Sequence, residues 1–127
     1  MATRGTIAVQ HADGTISQVY AHWDNYLSGT GRTLLECYDS LEYAEELVAG
    51  GDISSVGYTV DDTVYYKRDR GETNTDARVF ANINSYYSNL QGEEYNYLFQ
   101  QGQWFVEDAW GERGGEYVPL TEALEKA

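Results

Sequence analysis

Two short stretches bring together residue types able to do chemistry. His22, Trp23 and Asp24 are consecutive, and His11 lies upstream. On a strand, residues two apart share a face, so His22 and Asp24 could act as an acid–base pair or donate two ligands to a metal. The chain has only two histidines, with no HxH or HxxxH spacing. The simpler reading is a His22–Asp24 hydrogen bond at a strand end, with Trp23 in the core. The second stretch is Arg68-Asp69-Arg70, which with Lys67 forms the basic cluster of the chain. Two arginines on one face of an extended segment can fork a phosphate. The competing reading is a salt-bridged loop that neutralises nearby carboxylates.

Other candidates are weaker. Cys37 could pair with His22 as a nucleophile, but a helical cysteine between Leu35 and Tyr38 is more often a small buried hydrophobe. Glu107-Asp108 and Asp61-Asp62 are adjacent carboxylates. Neighbours on a strand point to opposite faces, so neither is a hydrolytic dyad by itself. No metal site and no cofactor is expected.

The most quantitative feature is an acidic belt. Residues 33–66 hold eight acids (Glu36, Asp39, Glu42, Glu45, Glu46, Asp52, Asp61, Asp62) and no Lys or Arg, which supplies −8 of a net charge of −13. Such a run is usually a solvated face. Spaced carboxylates can also imitate the phosphates of a duplex, and Tyr38, Tyr43 and Tyr58 among them offer rigid contact area for an interface.

The elements that position these residues can be read along the chain. Residues 6–10 and 16–22 flank Asp13-Gly14 as a hairpin. A three-residue loop, Asp13 to Thr15, pairs Val9 with Val19 and Ile7 with Ala21 on one face; a one-residue slip would swap the faces. Residues 28–31 form a turn, with Thr30 as N-cap of a helix over 32–38 that turns Leu34, Leu35 and Tyr38 inward. A second helix spans 40–49, capped by Asp39 or Ser40 with Glu42 at capping-box spacing. Its Leu41, Ala44, Leu47 and Val48 face the core, and Glu42, Glu45 and Glu46 face out. Gly50-Gly51 ends it.

A connector over 52–57 follows. Residues 58–60 and 63–67 read as short strands about Asp61-Asp62, and 68–72 as a charged loop. A third helix spans 76–90, with Val79, Phe80, Ile83, Tyr87 and Leu90 on one stripe and Gly92 as its stop. Residues 94–100 and 103–108 form a hairpin about Gln101-Gly102, with Tyr95, Tyr97, Phe99, Trp104 and Val106 on one face. A glycine-rich loop at 111–116 leads to Pro119 and a short helix from Thr121. This pattern implies one α+β domain: an antiparallel sheet built from hairpins, with about three helices packed on one face.

Length and composition narrow the function classes. The 127 residues suit one domain, and 42% apolar content with twelve Tyr argues for a folded chain. A pI near 4.2 disfavours free nucleic acid and anionic membrane as direct partners. Cys37 is the single cysteine, which excludes an internal disulfide. Neither a signal peptide nor a long apolar run is visible, so the cytoplasm is the expected location.

Several ordered segments carry a resemblance: TRGTIAVQHADGTISQVYAHWDNYLSGTGRTLLECY, GDISSVG, YYKRDRGE, EYNYLF and WFVEDAW. Together they resemble a widespread family of small, mostly uncharacterised tailed-bacteriophage proteins, whose first segment looks like TRSTI…DG…VYCHWDGYP. Here Gly5 replaces the serine, Ala21 the cysteine, Asn25 the glycine and Leu27 the proline. Asn25 can take a glycine's positive φ, whereas Leu27 cannot reproduce the proline. The resemblance implies a phage gene product acting in the host bacterial cytoplasm, and it carries no catalytic residue with it.

The leading expectation is a non-enzymatic phage accessory or anti-defence protein. It would use Glu36, Asp39, Glu42, Tyr43, Glu45, Glu46, Asp52, Asp61 and Asp62 to bind and inhibit a basic, nucleic-acid-handling host protein. The alternative is a binding protein or enzyme for a nucleotide or other phosphate ligand, using His22, Trp23, Asp24, Arg68 and Arg70. A structural role in a homo-oligomer is a third reading.

Overall fold

The computed structural model describes residues 3–88, 93–109 and 115–126. The expected helix end at Leu90, its stop at Gly92 and residues 111–114 of the glycine-rich loop lie outside the described residues.

Two hairpins form the centre of one sheet. β1 (Gly5–Gln10) pairs antiparallel with β2 (Ile16–Ala21). The register sets Ile7 against Val19 and Val9 against Ser17, which is two residues from the expected pairing. The loop runs over 11–15, closed by the His11 amide donating to the Thr15 carbonyl, the Gly14 amide donating to the His11 carbonyl and Asp13 Oδ1 accepting from the Thr15 amide. A shift of two keeps every side chain on its face, so Ile7, Val9, Val19 and Ala21 still share one core.

The remaining elements follow in chain order. They are α1 (Arg32–Cys37), α2 (Leu41–Ala49), β3 (Ile53–Ser55), β4 (Val64–Tyr65), α3 (Tyr66–Arg70), β5 (Arg78–Phe80), α4 (Ile83–Ser88), β6 (Tyr95–Gln100), β7 (Gln103–Asp108), β8 (Val118–Pro119) and α5 (Leu120–Lys126). The strand order is β4-β3-β2-β1-β6-β7-β8. The outer edge of β2 is shared: β5 pairs with residues 16–18, and β3 meets Ala21.

The fold is α+β, but the sheet is mixed rather than purely antiparallel. β1 runs parallel to β6, and β2 parallel to β3. The two hairpins were legible locally; their join is not, because it depends on partners some ninety positions apart. A polar ladder fixes that join. Thr6 Oγ1 donates to Asn96 Oδ1 at 2.7 Å, and Asn96 Nδ2 donates to Glu107 Oε1 at 2.8 Å. Thr6 and Asn96 are buried, so a slipped register would orphan their polar groups.

Helices α1, α2 and α5 contribute Leu34, Ala44, Leu47, Val48 and Leu120 to the larger core over one sheet face. Tyr97, Phe99, Trp104 and Val106 line that face as their alternation predicts. The opposite face has its own cluster, in which Ala8, Ile16 and Leu98 pack with Tyr86 of α4.

Several expected elements differ. The helix over 76–90 is strand β5 followed by the shorter α4, and Val79 is exposed. Its apolar spacing fits a helix, but pairing with the free edge of β2 overrides that pattern. Residues 58–60 form no strand, the strand expected over 63–67 is only β4, and 66–70 are helical where the end of that strand and the start of a charged loop are expected. Thr30 is not an N-cap, because a π-helical turn (Leu27–Gly31) leads into α1. Ser40, by contrast, caps α2 by accepting from the Tyr43 amide.

Candidate functional site

The site begins where β2 ends. The amides of His22 and Trp23 bond the carbonyls of Ile53 and Ser54, so the chain still follows β3 for two residues. It then leaves the sheet at Asp24, which has φ 59°. Regular pairing in β2 itself ends at Ala21, so strand alternation does not carry through to Trp23, and the indole, expected in the core, is 44% exposed. The left-handed residue is Asp24, not Asn25. Asn25 is buried, and its amide donates to the carbonyls of Thr3 and Ala21.

The following turn is closed on itself and anchored to the core. The amide and hydroxyl of Thr30 both donate to the Asp24 carbonyl. Tyr97, rooted in the sheet, donates from its hydroxyl to the Asn25 carbonyl at 2.7 Å. Gly29 lies against the Asp24 carbonyl and the ring of Tyr26; an added Cβ would meet that ring at 2.9 Å. The close approach requires a glycine and fixes where Tyr26 points.

The facing wall is the segment after β3. Gly57 is gripped from both sides: its amide donates to Thr63 Oγ1 at 3.0 Å, and its carbonyl accepts from the Tyr38 hydroxyl at 2.8 Å. Thr63 Oγ1 also donates to the Thr59 carbonyl at 2.9 Å. Arg68 holds the same turn from behind, donating to the carbonyls of Val60 and Thr63 and bonding Asp69. Its guanidinium holds the Asp69 carboxyl below the usual carboxylate range, helped by the Tyr65 amide.

Between these walls lies a cleft of about 440 Å³. Trp23, Asp24, Tyr26, Tyr58 and Asp62 line it together with Gly29 and Gly57. Beside it, a second cleft of about 340 Å³ is lined by Tyr38, Tyr43, Glu46 and again Tyr58. Trp23, Tyr26, Tyr43 and Tyr58 are all exposed, Tyr58 to 72%. Three carboxylates line the two clefts, and among the described lining residues there is no Lys, Arg or His.

The acidic belt divides on this geometry. Asp39, Glu42, Glu46, Asp61 and Asp62 are exposed and form no ion pair among the described residues. Glu36 is exposed and lies 3.9 Å from Arg32. Two members leave the belt. Glu45, expected to face solvent, is half-buried and bonds His11 Nδ1 at 2.5 Å, while His11 Nε2 reaches Ser17 Oγ at 2.7 Å. Asp52 is half-buried and accepts from the Tyr20 amide at 2.9 Å; burial raises its pKa.

The Ser17–His11–Glu45 relay has the order of a nucleophile, a base and an orienting acid. Ser17, however, sits mid-strand between Val9 and Val79 in the ladder, with no sharp turn presenting its hydroxyl. The relay ties the first hairpin to α2.

The residues of the phosphate-pocket reading are not assembled together. Trp23 and Asp24 line the larger cleft, but His22, Arg68 and Arg70 do not. His22 bonds the Tyr20 hydroxyl at 2.6 Å rather than Asp24. Arg70 stacks over Tyr66 and bonds Ser54. Among the described residues no group of His, Cys, Asp and Glu could hold a metal ion, and no helix is long and apolar enough to cross a membrane.

The site residues that the sequence did not single out are Tyr26, Gly29, Gly57 and Thr63. Tyr26 and Gly29 lie within the HWDNYLSGTG stretch, and Gly57 ends GDISSVG, but nothing local reveals that these stretches face each other. No protein-family model, curated protein or solved structure matches the chain.

Proposed function

We propose that this chain is a non-enzymatic binding protein whose acidic, aromatic face docks on a basic surface of another protein. The carrying observation is the convergence of Trp23, Tyr26, Tyr43 and Tyr58 on two adjoining clefts that hold Asp24, Asp62 and Glu46 and no described cation. Exposed Trp and Tyr supply large rigid contact area, and interfaces are enriched in them. Carboxylates around them select a positive partner and steer its approach. The exposed belt of Asp39, Glu42, Glu46, Asp61 and Asp62 extends that field.

The partner class follows from the same chemistry. A groove that binds nucleic acid offers cations spaced for phosphates, and carboxylates on a protein surface can occupy it. The resemblance to small tailed-phage proteins supplies the context: an accessory or anti-defence protein that inhibits a nucleic-acid-handling host protein in the bacterial cytoplasm. The test is capture of partners from bacterial lysate at about 50 mM and about 500 mM salt. The expected result is a basic nucleic-acid-binding protein retained at low salt and lost with Asp61→Lys, Asp62→Lys. Capture unchanged by salt and by the double variant would refute the reading.

A further inference from the structure

We infer that the larger cleft is a receptor for one arginine side chain of the partner, with the guanidinium entering between Trp23, Tyr26 and Tyr58 beside the carboxylates of Asp24 and Asp62. The inference rests on the docking function proposed above and names the group that the cleft receives.

Three features of the cleft select that group. First, its walls are aromatic and exposed, and a cation over the face of Trp or Tyr is attracted by the ring quadrupole. Second, its charged lining is acidic, Asp24 on one wall and Asp62 on the other, within a chain of net charge −13. The described cation bonded nearest to this wall is Arg68, which faces the back of the 60–63 turn and is neutralised by Asp69. Third, the lining holds more acceptor-bearing residues than a compact ammonium needs: Thr33 and Ser55 line the cleft together with Asp24 and Asp62. A planar fork of five donors matches spread acceptors and flat rings better than a strongly hydrated point charge does.

The molecule already uses this pairing internally. The Arg68 guanidinium lies 4.9 Å from the Tyr65 ring centre, and that of Arg70 5.3 Å from Tyr66. The cleft presents the same half of the interaction, rings plus acceptors, to the outside. Its shape is held by Gly29 under Tyr26 and by Gly57 against Asp62, so the receptor is formed before the partner arrives, which lowers the ordering cost of binding.

The test titrates the full chain with the peptide Ac-Gly-Ser-Arg-Gly-NH2 and with its citrulline and lysine counterparts. Amide-resolved NMR locates the site. Citrulline keeps the shape of arginine and removes the charge. The arginine peptide should perturb residues 23–30 and 55–62 and bind about tenfold more tightly than the citrulline peptide, with lysine weaker than arginine. Trp23→Ala, Tyr58→Ala and Asp62→Asn should each weaken it, with circular dichroism unchanged because all three side chains are exposed. Val79→Ser, on the exposed β5, should have no effect.

Equal binding of arginine and citrulline, or perturbations centred elsewhere, would overturn the inference. Equal binding of lysine would overturn its guanidinium specificity. If the peptide fails to bind while salt-sensitive capture of a basic host protein persists, the arginine receptor is wrong and the docking face stands. If both fail, the docking function itself is wrong.

Discussion

Thr63→Val should separate the wall of the cleft from the rest of the fold. The change keeps the β-branched shape and removes one hydroxyl. In the wild-type chain that hydroxyl accepts from the Gly57 amide at 3.0 Å and donates to the Thr59 carbonyl at 2.9 Å. The Thr59 carbonyl keeps a second donor, the Thr63 amide at 3.0 Å, and Thr59 is exposed to water. The Gly57 amide keeps none of its described partners. One half-buried N–H is therefore orphaned, a cost of about 1–2 kcal/mol. At a urea slope of about 1.5 kcal/mol/M the unfolding midpoint should fall by about 1 M. Tyr38→Phe frees the Gly57 carbonyl on the other side, so the two changes should be non-additive by about 0.5 kcal/mol or more. Thr63→Ser should restore most of the loss. Urea unfolding followed by circular dichroism reads the stabilities, and NMR shifts of residues 55–62 read the wall. A midpoint within error of wild type, or strictly additive changes, would refute the account of how this wall is held.

Further outcomes follow from the same structure. Gly29→Ala should cost about 1–3 kcal/mol and displace Tyr26, because the new methyl meets its ring and the Asp24 carbonyl; thermal unfolding and the Tyr26 ring shifts check this. Asp52→Asn keeps an acceptor for the Tyr20 amide and removes a carboxyl whose pKa burial raises. A raised folded pKa means the folded state binds the extra proton, so the contribution of Asp52 to stability is full below the unfolded pKa and is lost as pH rises through the folded one. The variant should therefore gain on the wild type as pH rises from about 4 to 7, read by urea midpoints at each pH. Glu46→Lys should change stability by less than about 0.5 kcal/mol, whereas Glu45→Lys breaks the bond to His11 and should cost about 1 kcal/mol; paired melting curves distinguish them.

Much of the architecture can be read in the chain because it is encoded locally. Alternation of Tyr95, Tyr97 and Phe99 and of Trp104 and Val106 gives the second hairpin, and Gln101 and Gly102 take the positive φ angles that its tight turn needs. Ser40 and the spacing of Ala44, Leu47 and Val48 give α2. What escapes is set by distant partners. Val79 and Phe80 fit a helical stripe until the edge of β2 claims them as a strand. Glu45 and Asp52 look like surface acids until His11 and the Tyr20 amide take them inside. Arg68 looks like a ligand clamp until the carbonyls of Val60 and Thr63 occupy it.

The cleft shows both sides of this. Trp23, Asp24 and the belt tyrosines are visible as chemistry, but their meeting is not, because it depends on two distant segments and on where the chain leaves the sheet. β2 ends at Ala21 and Asp24, at φ 59°, takes the chain off the sheet, which leaves Trp23 exposed on the cleft it shares with Tyr58. Alternation carried one step too far buries that indole, and with it the face it helps to build.

The central claim, that this face engages a basic protein, is tested most directly by photo-crosslinking. A photoreactive phenylalanine analogue replaces Tyr58 in one sample and Val79 in another; both positions are highly exposed, and only Tyr58 lines the clefts. After irradiation in bacterial lysate, position 58 should give a covalent adduct to a basic nucleic-acid-binding protein, and position 79 should give none. Equal adducts from both positions, or adducts from position 79 alone, would contradict the claim.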